Sequence, residues 1–218
     1  MSTTIKFLND RSKFITEQQA NQLSEFSKLF YEDNALKRED VYYENKLWGG
    51  EYYLSPGENV TEVLNALGPE LNWAIMSNKQ IINGYTVWEI RWYDENLQLK
   101  SKYAKSVDDS MGKHVATVEY DVVTDQPKGA FKIFNFGGMH IPWDELDMFF
   151  ADDAYISFSF DENNQIEQIS MNEDIINNES YWTSLNKFLN DGDFFISQMM
   201  TQNQINYFTN VQPLVPNF

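Results

Sequence analysis

At 218 residues, 42% hydrophobic and 16% aromatic, the chain is long enough to bury a core without staples and too apolar to stay disordered. It has no cysteine, which excludes disulfides and thiolate metal sites. The formal net charge is −17, and residues 133–218 hold 13 acidic groups against one basic group, Lys187. That sign excludes nucleic-acid binding through phosphates; it favours a basic partner, or serves solubility alone. The N-terminus has no apolar signal core and no run reaches membrane length, so the expectation is a soluble, cytoplasmic protein with no membrane partner.

Thr16-Glu17-Gln18-Gln19 fits a capping box, and Ala20, Leu23, Phe26 and Phe30 follow at helical spacing, which predicts a helix over about 17–32. Gly49-Gly50 reads as a break, and Glu51–Leu54 as a short strand. Ser55-Pro56-Gly57-Glu58 has the chemistry of a helix start. Val60, Val63, Leu64 and Leu67 form its apolar stripe, and Gly68-Pro69 its stop. Leu71–Met76 is an apolar run of ambiguous type.

Strands are predicted to dominate after residue 80. Gly84–Lys100 alternates, with Thr86, Trp88, Ile90 and Trp92 on one face, then breaks at Asp94-Glu95-Asn96 and resumes at Leu97. Val115–Val123 alternates with Ala116, Val118, Tyr120 and Val122 inward. Ala130–Phe136 follows, and Tyr155–Phe160 with Gln165–Met171 makes a hairpin. The aromatic-Asp-Glu-Asn string at residues 93–96 returns at 160–163; turn chemistry explains it without a duplication. Tyr181, Trp182, Leu185, Phe188 and Leu189 predict a helix ending at Gly192. Phe195, Met199, Gln202 and Ile205 predict a weaker one, and Val211–Phe218 an irregular tail.

The pieces Gly50–Leu67 (GEYYLSPGENVTEVLNAL), Gly129–Gly138 (GAFKIFNFGG) and Tyr155–Asp174 (YISFSFDENNQIEQISMNED) together resemble the NTF2-like (SnoaL-like) superfamily over about residues 15–175. The resemblance implies an α+β fold in which N-terminal helices pack on a curved antiparallel sheet as a cone. The chain departs from the pattern in its length, its acidic residues before the closing hairpin and its C-terminal helical segment. The expectation is an NTF2-like α+β domain over 1–175 and a C-terminal helical extension over 176–218, packed on the same domain. The resemblance also implies a pocket lined by Trp88, Trp92, Tyr120 and Phe158 from the sheet and Trp73 from the helical side; as residues alone, these equally suit a packed core.

No glycine-rich phosphate cradle, GxSxG elbow or calcium loop with its glycine is present, so no cofactor and no metal are expected. His114 and His140 are the only histidines. Together with Asp121 or Asp144 they offer proton carriers for acid–base work, or two metal ligands beside a carboxylate at a spacing that fits no metal motif, or are surface and structural residues. Pro142–Asp153 (PWDELDMFFADD) interleaves Trp143, Leu146, Met148 and Phe149 with Asp144, Glu145, Asp147, Asp152 and Asp153. It reads as a short helix after Pro142 whose acids meet a basic partner, or as a solvated helix face.

Two functions follow. One is a small-molecule-binding NTF2-like protein, extending to a cofactor-independent hydrolase or isomerase. The other is an acidic protein-binding module, an inhibitor or immunity protein, that docks a basic partner. A homodimer fits if the sheet leaves an apolar face uncovered.

Overall fold

The computed structural model describes residues 2–10, 13–94, 96–138, 140–143, 146–149, 154–172, 179–182, 184–190 and 199–218. Strands dominate them: β1 (Thr3–Asn9), β2 (Phe14–Ile15), β3 (Phe26–Glu32), β4 (Ala35–Tyr43), β5 (Lys46–Tyr53), β6 (Asn72–Ile82), β7 (Tyr85–Tyr93), β8 (Leu99–Asp108), β9 (His114–Asp121), β10 (Pro127–Asn135), β11 (His140–Trp143), β12 (Leu146–Phe149), β13 (Tyr155–Phe160), β14 (Ile166–Asn172) and β15 (Glu179–Trp182). Four short helices are described: α1 (Glu17–Ala20), α2 (Val60–Leu67), α3 (Leu185–Leu189) and α4 (Gln202–Phe208).

The α+β NTF2-like cone is therefore not the fold. No N-terminal helical layer packs on a sheet among the described residues; the expected 17–32 helix is one turn followed by a strand. Thr16 does form its capping box with Gln19, but α1 ends at Ala20. Phe26–Glu32 then pairs on both sides, with β1 and with β4. The apolar residues at helical spacing were misleading because aromatic FSKLFYE suits a pleated surface better than a helix.

The chain forms two compact units, Met1–Lys79 with Glu89–Tyr103, and Gln80–Trp88 with Ala104–Phe218. In the first, the strand order is β2-β1-β3-β4-β5-β6, continued by the first-unit parts of β7 and β8. β1 pairs antiparallel with β2 and β3, as do β3 with β4 and β4 with β5, whereas β5 with β6 is parallel and joined through α2. Asn59 caps α2, accepting from Thr61 N at 2.9 Å and Glu62 N at 3.3 Å, and Gly68 at φ 97° ends it. The helix thus starts at Asn59 rather than Ser55. Its Leu64 packs with Trp73 and Ile75 of β6, ringed by Tyr52, Val60 and Leu67.

In the second unit the remaining parts of β6–β8 lead into β9-β10-β13-β14-β15, and β11 with β12 forms a separate two-stranded sheet. The helix expected after Pro142 is therefore a hairpin, with Pro142 opposite Asp147 and Trp143 opposite Leu146. The helix expected around Tyr181 is β15 followed by the five-residue α3. The core is aromatic: Phe158 meets Phe188 edge-on at 5.5 Å and stacks on Phe208 at 5.8 Å, and Phe134 meets Phe208 edge-on at 5.5 Å. Each buried ring contributes about 1.5–3 kcal/mol.

Turn chemistry builds this meander. Asp33-Asn34, Glu44-Asn45 and Asn83-Gly84 all have positive φ and make two-residue links. In three longer turns one aspartate accepts from residues i+2 and i+4. Asp94 Oδ1 binds Asn96 N and Gln98 N; Asp109 Oδ1 binds Met111 N and Lys113 N; Asp161 Oδ1 binds Asn163 N and Gln165 N. Asp109 does this without the Asp-Glu-Asn string, so the repeated string reflects a turn shape.

Candidate functional site

The residues expected to carry chemistry are dispersed. Trp73 and Trp92 belong to the first unit; Trp88, His114, Tyr120, Asp121, His140 and Phe158 belong to the second. Trp73 is buried in the core cluster of α2, and Phe158 in the aromatic core of its unit. Tyr120 is buried, and its hydroxyl accepts from Gln212 Nε2 at 3.2 Å. Trp88 and Trp92 are half-buried. Asp121 is half-buried and holds a turn through Val123 N and the N–H and hydroxyl of Thr124. Those bonds, the Thr124 N–H foremost, hold its carboxyl below the ordinary range. His140 begins β11. Of the acidic-aromatic segment, Asp144, Glu145, Asp152 and Asp153 lie outside the described residues, and Trp143 and Asp147 are described in backbone only.

His114 takes partners that sequence reasoning missed. Its Nδ1 lies 3.1 Å from Asp108 Oδ1 and its Nε2 3.0 Å from Thr117 Oγ1. Asp108 stands across the Asp109–Lys113 turn from His114, so the hairpin itself creates the pair. The connectivity is that of a hydroxyl–base–acid chain. The His114–Asp108 contact joins the two strands of the hairpin, so the arrangement pins the hairpin.

Two positions in the first unit depart from strand alternation, and each carries polar or aromatic chemistry. In β4, Phe30 pairs with Arg38 and Tyr31 with Leu36, which leaves Lys37 as the extra residue. In β5, Val41 pairs with Gly49 and Tyr42 with Leu47, which leaves Trp48 extra. Bulges of this kind re-aim a side chain. The sequence does not mark them, because a bulge depends on which neighbour pairs with which.

Lys37 Nζ donates to Glu58 Oε2 at 2.6 Å, Ser55 Oγ at 2.7 Å and Tyr53 O at 3.0 Å, and sits 4.6 Å from the Tyr52 ring centre. Glu58 also accepts from Tyr52 Oη at 3.0 Å and Ser55 N at 2.6 Å. Burial pulls the Lys37 amine down, but its bonds to Glu58 and Tyr52 outweigh this and hold it above its ordinary value. Burial pushes Glu58 up, and the same bonds outweigh it and hold the carboxyl low. The pair stays ionised. An ammonium is donor-only, so Lys37 cannot take a proton from Ser55, and the close Ser–Lys contact is no nucleophile. Replacing Glu58 with Gln is expected to cost about 1.5–3 kcal/mol in urea unfolding, the range for a bond to a charged group.

Tyr52 and Glu58 also line an open cleft of about 570 Å³ together with Arg38, Glu62, Val63 and Leu67. Arg38 stacks 4.0 Å from the Phe30 ring centre, and its Nε lies 2.8 Å from Oδ1 of Asp40, which is only 5% exposed. Burial pushes the Asp40 carboxyl up against the pull of Arg38 and Lys28.

The second bulge opens onto a cleft of about 560 Å³ lined by Asn9, Asp10, Glu25, Phe26, Ser27, Val41, Tyr42, Tyr43 and Trp48. Phe26 and Tyr42, opposite each other in the ladder, stack at 4.6 Å with an interplanar angle of 6°. Trp48 is 55% exposed and Tyr43 53% exposed. Among the described residues, no lysine or arginine lines the cleft. Asp10 and Glu25 are exposed and have no ion-pair or hydrogen-bond partner for their carboxylates among the described residues. The half-exposed Trp48 indole thus shares its cleft with two exposed carboxylates.

No family model, no curated protein and no solved structure matches this chain.

Proposed function

We propose that the chain is an acidic protein-binding module, of the inhibitor or immunity-protein kind, that docks a basic partner protein. The observation that carries the reading is the Trp48 cleft: exposed aromatic surface with two carboxylates that, among the described residues, have no ion-pair partner and no basic side chain beside them in the lining. The chain's net charge of −17 supports it by steering a cationic partner toward the protein. Exposed Trp and Tyr are the residues that anchor interfaces, with charges at the rim setting on-rate and specificity. The acids of residues 144–153 are part of that net charge. Among the described residues, neither cleft is lined by Trp73, Trp88, Trp92, His114 or Tyr120, on which the small-molecule reading relied. Retention from an extract of the source cells tests the proposal. The immobilised protein is expected to hold a basic protein at low salt and release it near half-molar salt, where screening shortens to a few ångströms. A retained protein that is acidic, or that salt does not release, would remove the reading.

A further inference from the structure

We propose that the Trp48 cleft receives a single cationic side chain, lysine or arginine, presented by the partner; this rests on the basic-partner reading and names what that partner inserts. The Phe26–Tyr42 stack, together with Tyr43 and Trp48, supplies aromatic surface, and indole is the strongest aromatic partner for a cation. Asp10 and Glu25 supply charge that nothing else described satisfies. An apolar ligand would strip water from those carboxylates without replacing its hydrogen bonds, which disfavours it. An anionic ligand would meet two like charges. A side chain with an aliphatic stem and a cationic end suits both halves of the site: the stem lies on the rings and the head meets the acids. The Trp48 bulge is what turns the indole out of strand alternation, so the recognition device is built into the β4–β5 register.

The test uses the full chain and three small probes: Nα-acetyl-lysine methylamide, its arginine counterpart, and the neutral Nα-acetyl-norleucine methylamide. The readout is the indole N–H signal of Trp48 and the amide signals of Asn9 and Ser27. The two cationic probes are expected to shift these saturably, and norleucine to leave them in place. Asp10→Asn with Glu25→Gln is expected to weaken the cationic probes about ten-fold while leaving the rest of the spectrum unchanged, and Trp48→Ala is expected to abolish the shifts of Asn9 and Ser27. Equal shifts by norleucine, shifts confined to other regions, or indifference to the double substitution would overturn the inference. The two readings fail separately. A basic protein that docks as well on Trp48→Ala as on wild type sinks this inference and leaves the docking function. Saturable cation binding at Trp48 with no basic protein retained leaves the inference and sinks the docking function.

Discussion

Lys132→Ala is expected to loosen the C-terminal segment of the second unit and to cost about 3–5 kcal/mol, through a cavity and two lost hydrogen bonds. Lys132 is fully buried in β10, between Ala116 of β9 and Phe158 of β13 in the ladder. Its amine donates to Tyr207 O and Pro213 O, each at 3.0 Å, and lies 3.7 Å from the Tyr207 ring centre. Among the described residues no carboxylate pairs with it. It therefore fastens α4 and the tail to the sheet, aided by Tyr207 Oη on Leu214 O at 2.8 Å and Gln212 on Tyr120. Burial pulls the amine down to about 7. Between that value and its ordinary 10.5 the unfolded chain binds a proton that the folded chain does not, so the penalty of burying this lysine is full below pH 7 and fades as pH rises. The stability difference between wild type and Lys132→Met is expected to move by about 2–3 kcal/mol in favour of wild type from pH 7 to pH 9. Urea unfolding at both pH values checks this. The subtraction removes the common effect of net charge, and Tyr207, pushed up by burial, does not titrate in that window. A difference independent of pH would mean that the amine stays protonated, held by the two carbonyls and the ring.

Gly50→Ala is expected to cost more than about 4 kcal/mol, or to give no soluble protein. Gly49 and Gly50 lie inside β5 at φ 148° and 154°, held between β4 and β6. A Cβ at Gly50 would stand 1.8 Å from Glu39 O, and one at Gly49 2.0 Å from Asn72 O. Both obstacles are backbone of paired strands, so relief requires separating strands rather than turning a side chain. Gly57→Ala is the matched control. Its φ is also positive, at 89°, but nothing lies within 4 Å, so only backbone strain of about 1–2 kcal/mol is expected. Thermal or urea unfolding of the three proteins separates a clash from a conformational preference.

The same glycine pair shows why part of the fold was hidden. Gly-Gly reads as a break because glycine weakens strands, yet here it is what allows three strands to close together; only the neighbours' positions reveal that. The Asp33-Asn34 turn was legible in principle, since both residues tolerate positive φ, and the Glu44-Asn45 turn only through Asn45. They mark the β3–β4 and β4–β5 hairpins that a helical reading of residues 17–32 obscured. The later hairpins were easier, because Tyr85–Tyr93 and Tyr155–Phe160 are rich in aromatic and β-branched residues and end at aspartate turns. Trp73 and Phe158 were legible as buried aromatics. The pairing of His114 with Asp108, and the exposure of Trp48, depend on turn geometry and a register shift that periodicity cannot carry. Lys132 looked like one more strand residue, because nothing local announces that a tail some 75 residues later will cover it.

The measurement closest to the central claim is the affinity of a retained basic protein for wild type, Trp48→Ala and the Asp10→Asn, Glu25→Gln pair, by calorimetry at low and moderate salt. The account predicts at least about a ten-fold loss for Trp48→Ala, the size of an interface anchor, and a flatter salt dependence for the acid-neutralised pair. Equal affinity across all three proteins, with the same salt slope, would contradict it.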